Sequence, residues 1–203
     1  FDFSSLFSDL SNLELLHNRC DFNYPKKFIR ETDQSTHYHQ ILYNIARTKE
    51  FEKMYKKFLW SEVKPIFGGS IVYQKIPTFR IQFPNNISVG EFHRDRDYRD
   101  SEWHSKVKEY NFFLPFTRAF NTATIWSESC DGLGDFSPMG CKYGEFYKWD
   151  GTNLMHGNKE NTETYTRVSM DFRVMSSSNY IASEVESINT KIKFKIGYYY
   201  DYM

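Results

Sequence analysis

The chain has 203 residues, with 26 basic and 26 acidic side chains and no net formal charge. At roughly 100–200 residues per domain that is one domain, long enough to bury a core without covalent staples. The even charge balance argues against a general nucleic-acid binder, which carries a basic excess.

Aromatic residues are unusually abundant, with 19 Phe, 15 Tyr and 4 Trp; such a chain builds its core from large rings and lines a ligand pocket with them. The three cysteines, Cys20, Cys130 and Cys141, form no CxxC pair, so neither a disulfide scaffold nor a zinc ribbon is expected. No apolar run approaches the roughly 18 residues of a membrane span. The start, Phe1-Asp2-Phe3-Ser4, lacks the basic and apolar regions of a secretory signal. Together these features predict a cytoplasmic protein with no membrane and no nucleic-acid partner.

In chain order, residues 4–16 read as a helix, with Leu6, Leu10, Leu13 and Leu16 spaced three to four apart. A second helix is predicted from 35 or 36 to 60, punctuated afterwards by Pro65 and Gly68-Gly69. Short strands follow at 70–73, 78–83, 87–93, 108–117, 123–127, 144–149, 165–175 and 192–200. In the second, Phe79, Ile81 and Phe83 face one way and Arg80 and Gln82 the other; in the fourth, Tyr110, Phe112 and Leu114 oppose Asn111 and Phe113. Helices first and strands afterwards predict an α+β fold, an antiparallel sandwich or barrel covered by helices on one face. The single domain, 1–203, divides into a helical part, 1–65, and a β core, 70–203, that includes the C-terminal strand. The loop 128–143, with Gly132, Gly134, Pro138 and Gly140, is long enough to be functional.

The chemistry concentrates in three places. His93-x-Asp95 puts an imidazole and a carboxylate on one face if the strand persists there. His156 follows after a strand and an Asp150-Gly151 turn. Two imidazoles and one carboxylate on one side of an ion leave open positions opposite, the arrangement of oxygen-activating non-haem Fe(II). Arg167-x-Ser169 shares a strand face. The planar guanidinium and the hydroxyl suit the distal carboxylate of a dicarboxylate co-substrate whose other end chelates the metal.

Through His93-x-Asp95, His156 and Arg167-x-Ser169 the sequence resembles the Fe(II)/2-oxoglutarate-dependent dioxygenases, and looks closest to their phytanoyl-hydroxylase-like branch. Supporting stretches are Asn111-Phe112-Phe113-Leu114-Pro115-Phe116-Thr117, Asn121-Thr122-Ala123-Thr124-Ile125-Trp126 and Gly144-Glu145-Phe146-Tyr147-Lys148-Trp149-Asp150-Gly151. The matched pieces cover roughly residues 70–175. The resemblance implies a double-stranded β-helix (distorted jelly roll) core with the N-terminal helices packed on one face. It implies Fe(II) held by His93, Asp95 and His156, and 2-oxoglutarate anchored by Arg167 and Ser169, with Asn111 and Thr122 at further co-substrate positions. The implied chemistry is decarboxylation of 2-oxoglutarate to succinate and CO2, with O2 consumed and a substrate C–H bond hydroxylated or desaturated. Asp95 stands where halogenating relatives have a small residue, which disfavours halogenation.

Rival assignments exist within the chain. Asp97 shares the face of His93, but four residues span about 13 Å of strand, too far for one metal. His104 is a rival ligand or an exposed loop residue; His37 and His39 sit at a helix start and are expected in solvent. The mixed-charge segment 94–106, including Arg94 and Arg96, reads either as a lid recognising a polar substrate or as a solvated loop. Arg80, Arg118 and Arg173 are candidates for a substrate carboxylate or phosphate, or for structural ion pairs. Trp126 and Phe113 shape a pocket or fill a core. The C-terminal Tyr198-Tyr199-Tyr200-Asp201-Tyr202 is an interface strand or a frayed end. The expected substrate is a small polar metabolite, amino-acid or amino-sugar-like. The alternatives are a peptide side-chain hydroxylase, a metal-bound jelly-roll binding module without turnover, and a cupin-like isomerase, which would want more clustered histidines. Oligomeric state is not legible.

Overall fold

A computed structural model of the chain describes residues 1–7, 10, 12–19, 32–88, 91–98, 101–187 and 191–203, and within these the side chains of Tyr98, Ser101, His104 and Ser105 lie outside the description. Cys20, the His104 side chain and positions 89 and 90 of the expected strand 87–93 therefore fall outside the described residues. Among them, no helix is long and apolar enough to cross a membrane.

The helical part begins with two 3-10 turns, Phe3–Phe7 and Leu13–Asn18, in place of one helix over 4–16. Asn12 between them adopts a left-handed backbone, φ 54°, which a right-handed helix cannot continue through. The apolar spacing still does its work, because Phe3, Phe7, Leu10, Leu13 and Leu16 are all buried. The expected helix 35–60 divides into α1 (His37–Ala46) and α2 (Lys49–Phe58). Thr48 causes the break: its hydroxyl accepts the backbone N–H of Phe51 and caps α2. Glu50 and Glu52 in the first turn of α2 and Lys56 and Lys57 in its last turn follow the helix dipole. The chain then runs on through a π turn, Leu59–Val63, into α3 (Lys64–Phe67), and stops at Gly68 with φ 65°. Pro65 is tolerated because it sits in the first turn of α3, where a missing N–H costs little.

Two antiparallel sheets follow. The strands are β1 (Ile71–Gln74), β2 (Thr78–Gln82), β3 (Tyr110–Pro115), β4 (Ile125–Ser127), β5 (Ser137–Pro138), β6 (Tyr147–Trp149), β7 (His156–Asn158), β8 (Arg167–Ser176) and β9 (Tyr200–Tyr202). A further short helix, α4 (Ser101–Lys106), precedes β3. The larger sheet runs β6-β3-β8-β1-β9, with β2 also paired to β8; the smaller runs β5-β4-β7. β8 is the spine, flanked on one side by β3 and on the other by β1 and β2 in succession.

The alternation of β8 decides where the core and the site lie. Val168, Met170, Phe172 and Val174 join the apolar core with Phe79, Ile81, Phe112 and the helix residues Phe51, Tyr55 and Phe58. Phe172 stacks on Phe112 at 5.2 Å and meets Tyr55 edge-on at 5.5 Å. Each buried ring of this kind contributes roughly 1.5–3 kcal/mol. The other face of β8 carries Arg167, Ser169, Asp171 and Arg173, registered against Gln82, Arg80, Thr78, Phe113 and Asn111. Buried polar groups in such number need partners, and they face the side where the smaller sheet lies.

Three other expectations are corrected. Among the described residues of this stretch, 87, 88 and 91–93, none lies in a strand; His93 alone makes a bridge, to His156. A turn at 83–86, with Asn85 at φ 58°, and the Asn158 amide donating to the Ser88 carbonyl at 2.6 Å take the place of a ladder. The strand expected over 192–200 does not form over 192–199, and β9 begins only at Tyr200; a turn at Gly197 (φ 87°) folds Ile192, Phe194 and Ile196 onto Trp103 and Tyr199 in a separate apolar cluster. β5 and β7 are strands that alternation did not flag, being two and three residues long.

Candidate metal centre

His93 and His156 are brought together by their own backbones. Each N–H donates to the other's carbonyl at 2.9 Å, and the ring centroids lie 4.6 Å apart. Asp95 then opens a 3-10 turn, Asp95–Tyr98, and its backbone N–H is held by the Gly151 carbonyl. The strand expected to place Asp95 is thus replaced by a turn, with the same outcome. His93, Asp95 and His156 each offer a ligand atom, all within 4.8 Å of one another.

The neighbours of the triad fix which atom each residue offers. The Nδ1 of His93 donates to the Glu91 carbonyl at 2.8 Å, and that of His156 to the Leu154 carbonyl at 2.9 Å. In its neutral form each ring therefore carries its lone pair on Nε2, with the other nitrogen held by a carbonyl as is typical of metal-binding imidazoles. Burial, and then the adjacent His156, hold His93 below the usual imidazole value, which favours the neutral ligand form. On Asp95, Oδ2 accepts from Asn111 at 3.0 Å and from two nitrogens of Arg173, at 3.1 and 2.7 Å. Oδ1 faces His93 Nε2 at 3.7 Å. Two imidazole nitrogens and one carboxylate oxygen suit a divalent transition metal.

The triad opens on a cleft of about 550 Å³, counting its solvent-open mouth, lined also by Thr78, Arg80, Asn111, Asn158, Arg167 and Asp171. Arg167 is fully buried, and all three of its guanidinium nitrogens lack a hydrogen-bond partner. Burial draws it down to about 10, so it stays charged at neutral pH. The Ser169 hydroxyl, on the same strand face, is likewise buried and unpartnered, as are Asn111 Oδ1, Asn158 Oδ1 and Trp149 Nε1. A buried cation without a hydrogen-bond partner is unfavourable; the nearby Asp171 carboxylate, whose Oδ1 is also buried and unpartnered, offsets part of that cost.

Over 174 residues the chain is 36% identical to the streptomycin biosynthesis protein StrG of Streptomyces griseus, covering 85% of this chain and 79% of StrG. The chain belongs to the StrG family. No protein-family model matches it. Among solved structures, the non-heme monooxygenase ThoJ is similar as a nickel complex (TM-score 0.42) and as the apo form (0.44). Both are 11% identical, over 56% of this chain and about half of ThoJ. Likeness that low transfers neither fold nor activity.

The remaining predicted residues of this StrG-family chain divide clearly. Asn111 lines the cleft and holds Asp95. Arg80 lines it too, paired to Asp171 at 3.2 Å. Thr122 does not line the cleft; its hydroxyl is engaged with Thr162. Trp126 points away, its Nε1 donating to the Asn121 carbonyl and its ring under Lys159. Arg94 and Arg96 turn from the cleft to Asp131, at 2.9 and 2.7 Å, and so tie the segment 94–106 to the loop 128–143. Arg118 pairs with Glu14 and covers Tyr165. Asp97 is exposed and bound to Arg94. His39, expected in solvent, is buried between Thr36 and Gln34. Cys130 is exposed and Cys141 buried, both as free thiols. Arg173 serves Asp95 rather than an open anion site. That is the structural ion pair the sequence offered as the alternative for Arg173; the places of Thr78, Asp171 and Asn158 in the cleft were missed, although the period-two run Arg167-x-Ser169-x-Asp171-x-Arg173 marks one face of β8.

Proposed function

We propose that the chain is an Fe(II)- and 2-oxoglutarate-dependent dioxygenase that hydroxylates a C–H bond of a small polar metabolite, amino-acid or amino-sugar-like. The observation that carries this reading is the buried, unpartnered Arg167 in the same cleft as His93, Asp95 and His156. We read the two antiparallel sheets as a distorted jelly roll, and the spacing of the motifs as that of the phytanoyl-hydroxylase-like branch. StrG is a biosynthesis protein, which supports a small-molecule substrate over a protein side chain.

His93 Nε2, Asp95 Oδ1 and His156 Nε2 would hold the iron. When bound, iron and O2 supply the oxidising power that converts 2-oxoglutarate to succinate and CO2 and hydroxylates the substrate. Arg167 binds the distal carboxylate through its planar fork, in a charge-assisted contact that offsets its own burial. The Ser169 hydroxyl adds a donor beside it. Ile125 and Trp149 supply apolar wall that limits water around the bound groups. Arg80, neutralised in part by Asp171, faces the cleft and is available to a polar substrate.

The test is an anaerobic titration of metal-free protein with Fe(II) and 2-oxoglutarate, watching for the visible charge-transfer band of a chelated 2-oxo acid. The band is expected in the wild type and absent in His156→Ala. Folded, iron-loaded protein without the band would make the triad a metal site lacking this co-substrate and favour a binding module.

A further inference from the structure

We propose that Arg173 is a positioning residue that commits Asp95 to a single metal-facing oxygen, and that the tyrosines of the C-terminal segment hold Arg173 in place. The inference rests on reading His93, Asp95 and His156 as a metal centre.

A carboxylate beside a metal is able to bind through one oxygen or through both. In Asp95 the two oxygens are held differently. Oδ2 accepts three N–H donors, from Asn111 and from Nε and Nη2 of Arg173. An oxygen so occupied has little lone-pair density left to donate. Oδ1 is the oxygen that approaches His93 Nε2.

Arg173 is itself held from behind. Its Nη1 donates to the Tyr199 hydroxyl at 2.8 Å, and its Nε lies 3.6 Å from Glu109 Oε1. Glu109, almost fully buried, accepts the Tyr200 hydroxyl at 2.7 Å. Its fork is thus oriented by contacts on both sides. Tyr199 and Tyr200 are buried, whereas Tyr198 and Tyr202 are exposed. β9 carries Tyr200 along β1, so the end of the chain is stitched into the sheet and reaches the metal site through one arginine. Losing a partner that orients a metal ligand typically costs about 10–100-fold in metal affinity.

The experiment is calorimetric titration of metal-free protein with Mn(II), with the melting temperature of each metal-free variant measured alongside. Wild type is expected to bind one ion, and His156→Ala to lose it. Arg173→Lys keeps a positive charge beside Glu109 but lacks the fork, and is expected to bind Mn(II) about 10-fold more weakly. Tyr199→Phe removes only the hydroxyl behind Nη1, and is expected to show a smaller loss, up to about fivefold. A lower melting temperature with unchanged Mn(II) affinity in both variants would make Arg173 a structural residue and overturn the proposal. If Arg173→Lys does not fold, Tyr199→Phe decides alone, with unchanged affinity counting against. Wild-type protein that binds no Mn(II) would instead remove the metal reading, and this inference with it.

Discussion

His93 and His156 face one another across a single antiparallel bridge, and Gly157 beside that bridge is what lets them approach. A Cβ on Gly157 would lie 3.0 Å from the Phe92 Cα and from its ring. The two imidazoles therefore owe their 4.6 Å separation to a missing side chain next door. On its other side the Phe92 ring meets Phe136 of the loop 128–143 edge-on at 4.8 Å.

Gly157→Ala is accordingly expected to push the His93 segment off β7. The cost is an overpacking penalty of about 1–3 kcal/mol, read as a lower melting temperature. Metal affinity should fall with it. Full affinity in Gly157→Ala would show that the bridge does not set the separation of the ligands.

Arg167→Met should separate stability from co-substrate binding. The buried guanidinium has no hydrogen-bond partner among the described residues, so replacing it with an apolar chain of similar length should leave the ligand-free protein as stable, or more stable by up to about 3 kcal/mol. Thermal protection by 2-oxoglutarate should disappear. A variant that is destabilised yet still protected would mean that the guanidinium has a structural partner and is not the anion anchor.

Protonation of His39 should govern stability in mild acid. Burial, and then the nearby Arg80, draw it down to about 3 from 6.5, and it sits in the first turn of α1, where the helix dipole also disfavours a cation. Between those values the unfolded chain binds the extra proton. Stability is therefore fully present above pH 6.5 and declines as pH falls towards 3, by at most about 1.4 kcal/mol per pH unit from this residue. Melting temperatures from pH 7.5 to 4.5 should show that slope, and His39→Gln should flatten it. An equal slope in the variant would assign acid sensitivity elsewhere.

Asp131 joins Arg94 and Arg96, the residues on either side of Asp95, to the loop 128–143. All three side chains are substantially exposed, so Asp131→Ala should change stability by less than about 1 kcal/mol. Limited proteolysis should nevertheless cut the loop faster, since a tether is lost. Unchanged cleavage would mean that Ser129–Asp135 and the Glu128 contacts to Met155 and Gly134 hold the loop unaided.

Several parts of this protein were readable as letters. Period-two alternation placed Phe79 and Ile81 in the core and Arg80 and Gln82 opposite, and split Phe112 from Asn111 on β3. Those assignments depend only on neighbours along one strand, and a pleated backbone sends alternate side chains to opposite faces whatever surrounds it. His93, Asp95, His156 and Arg167 were likewise singled out by residue type and order, because few side chains bind metals or carboxylates. The tertiary structure decided the rest. Residues 87 and 88 lost their strand to a turn and to the Asn158 amide, and His39 was enclosed between Thr36 and Gln34, near Arg80 of β2. Arg173 could be told from a substrate-binding arginine only when Asp95, Glu109 and Tyr199 converged on it. Charge pairing, burial and the freeing of Arg167 from any hydrogen-bond partner arise between segments far apart in sequence, and only their packing sets them.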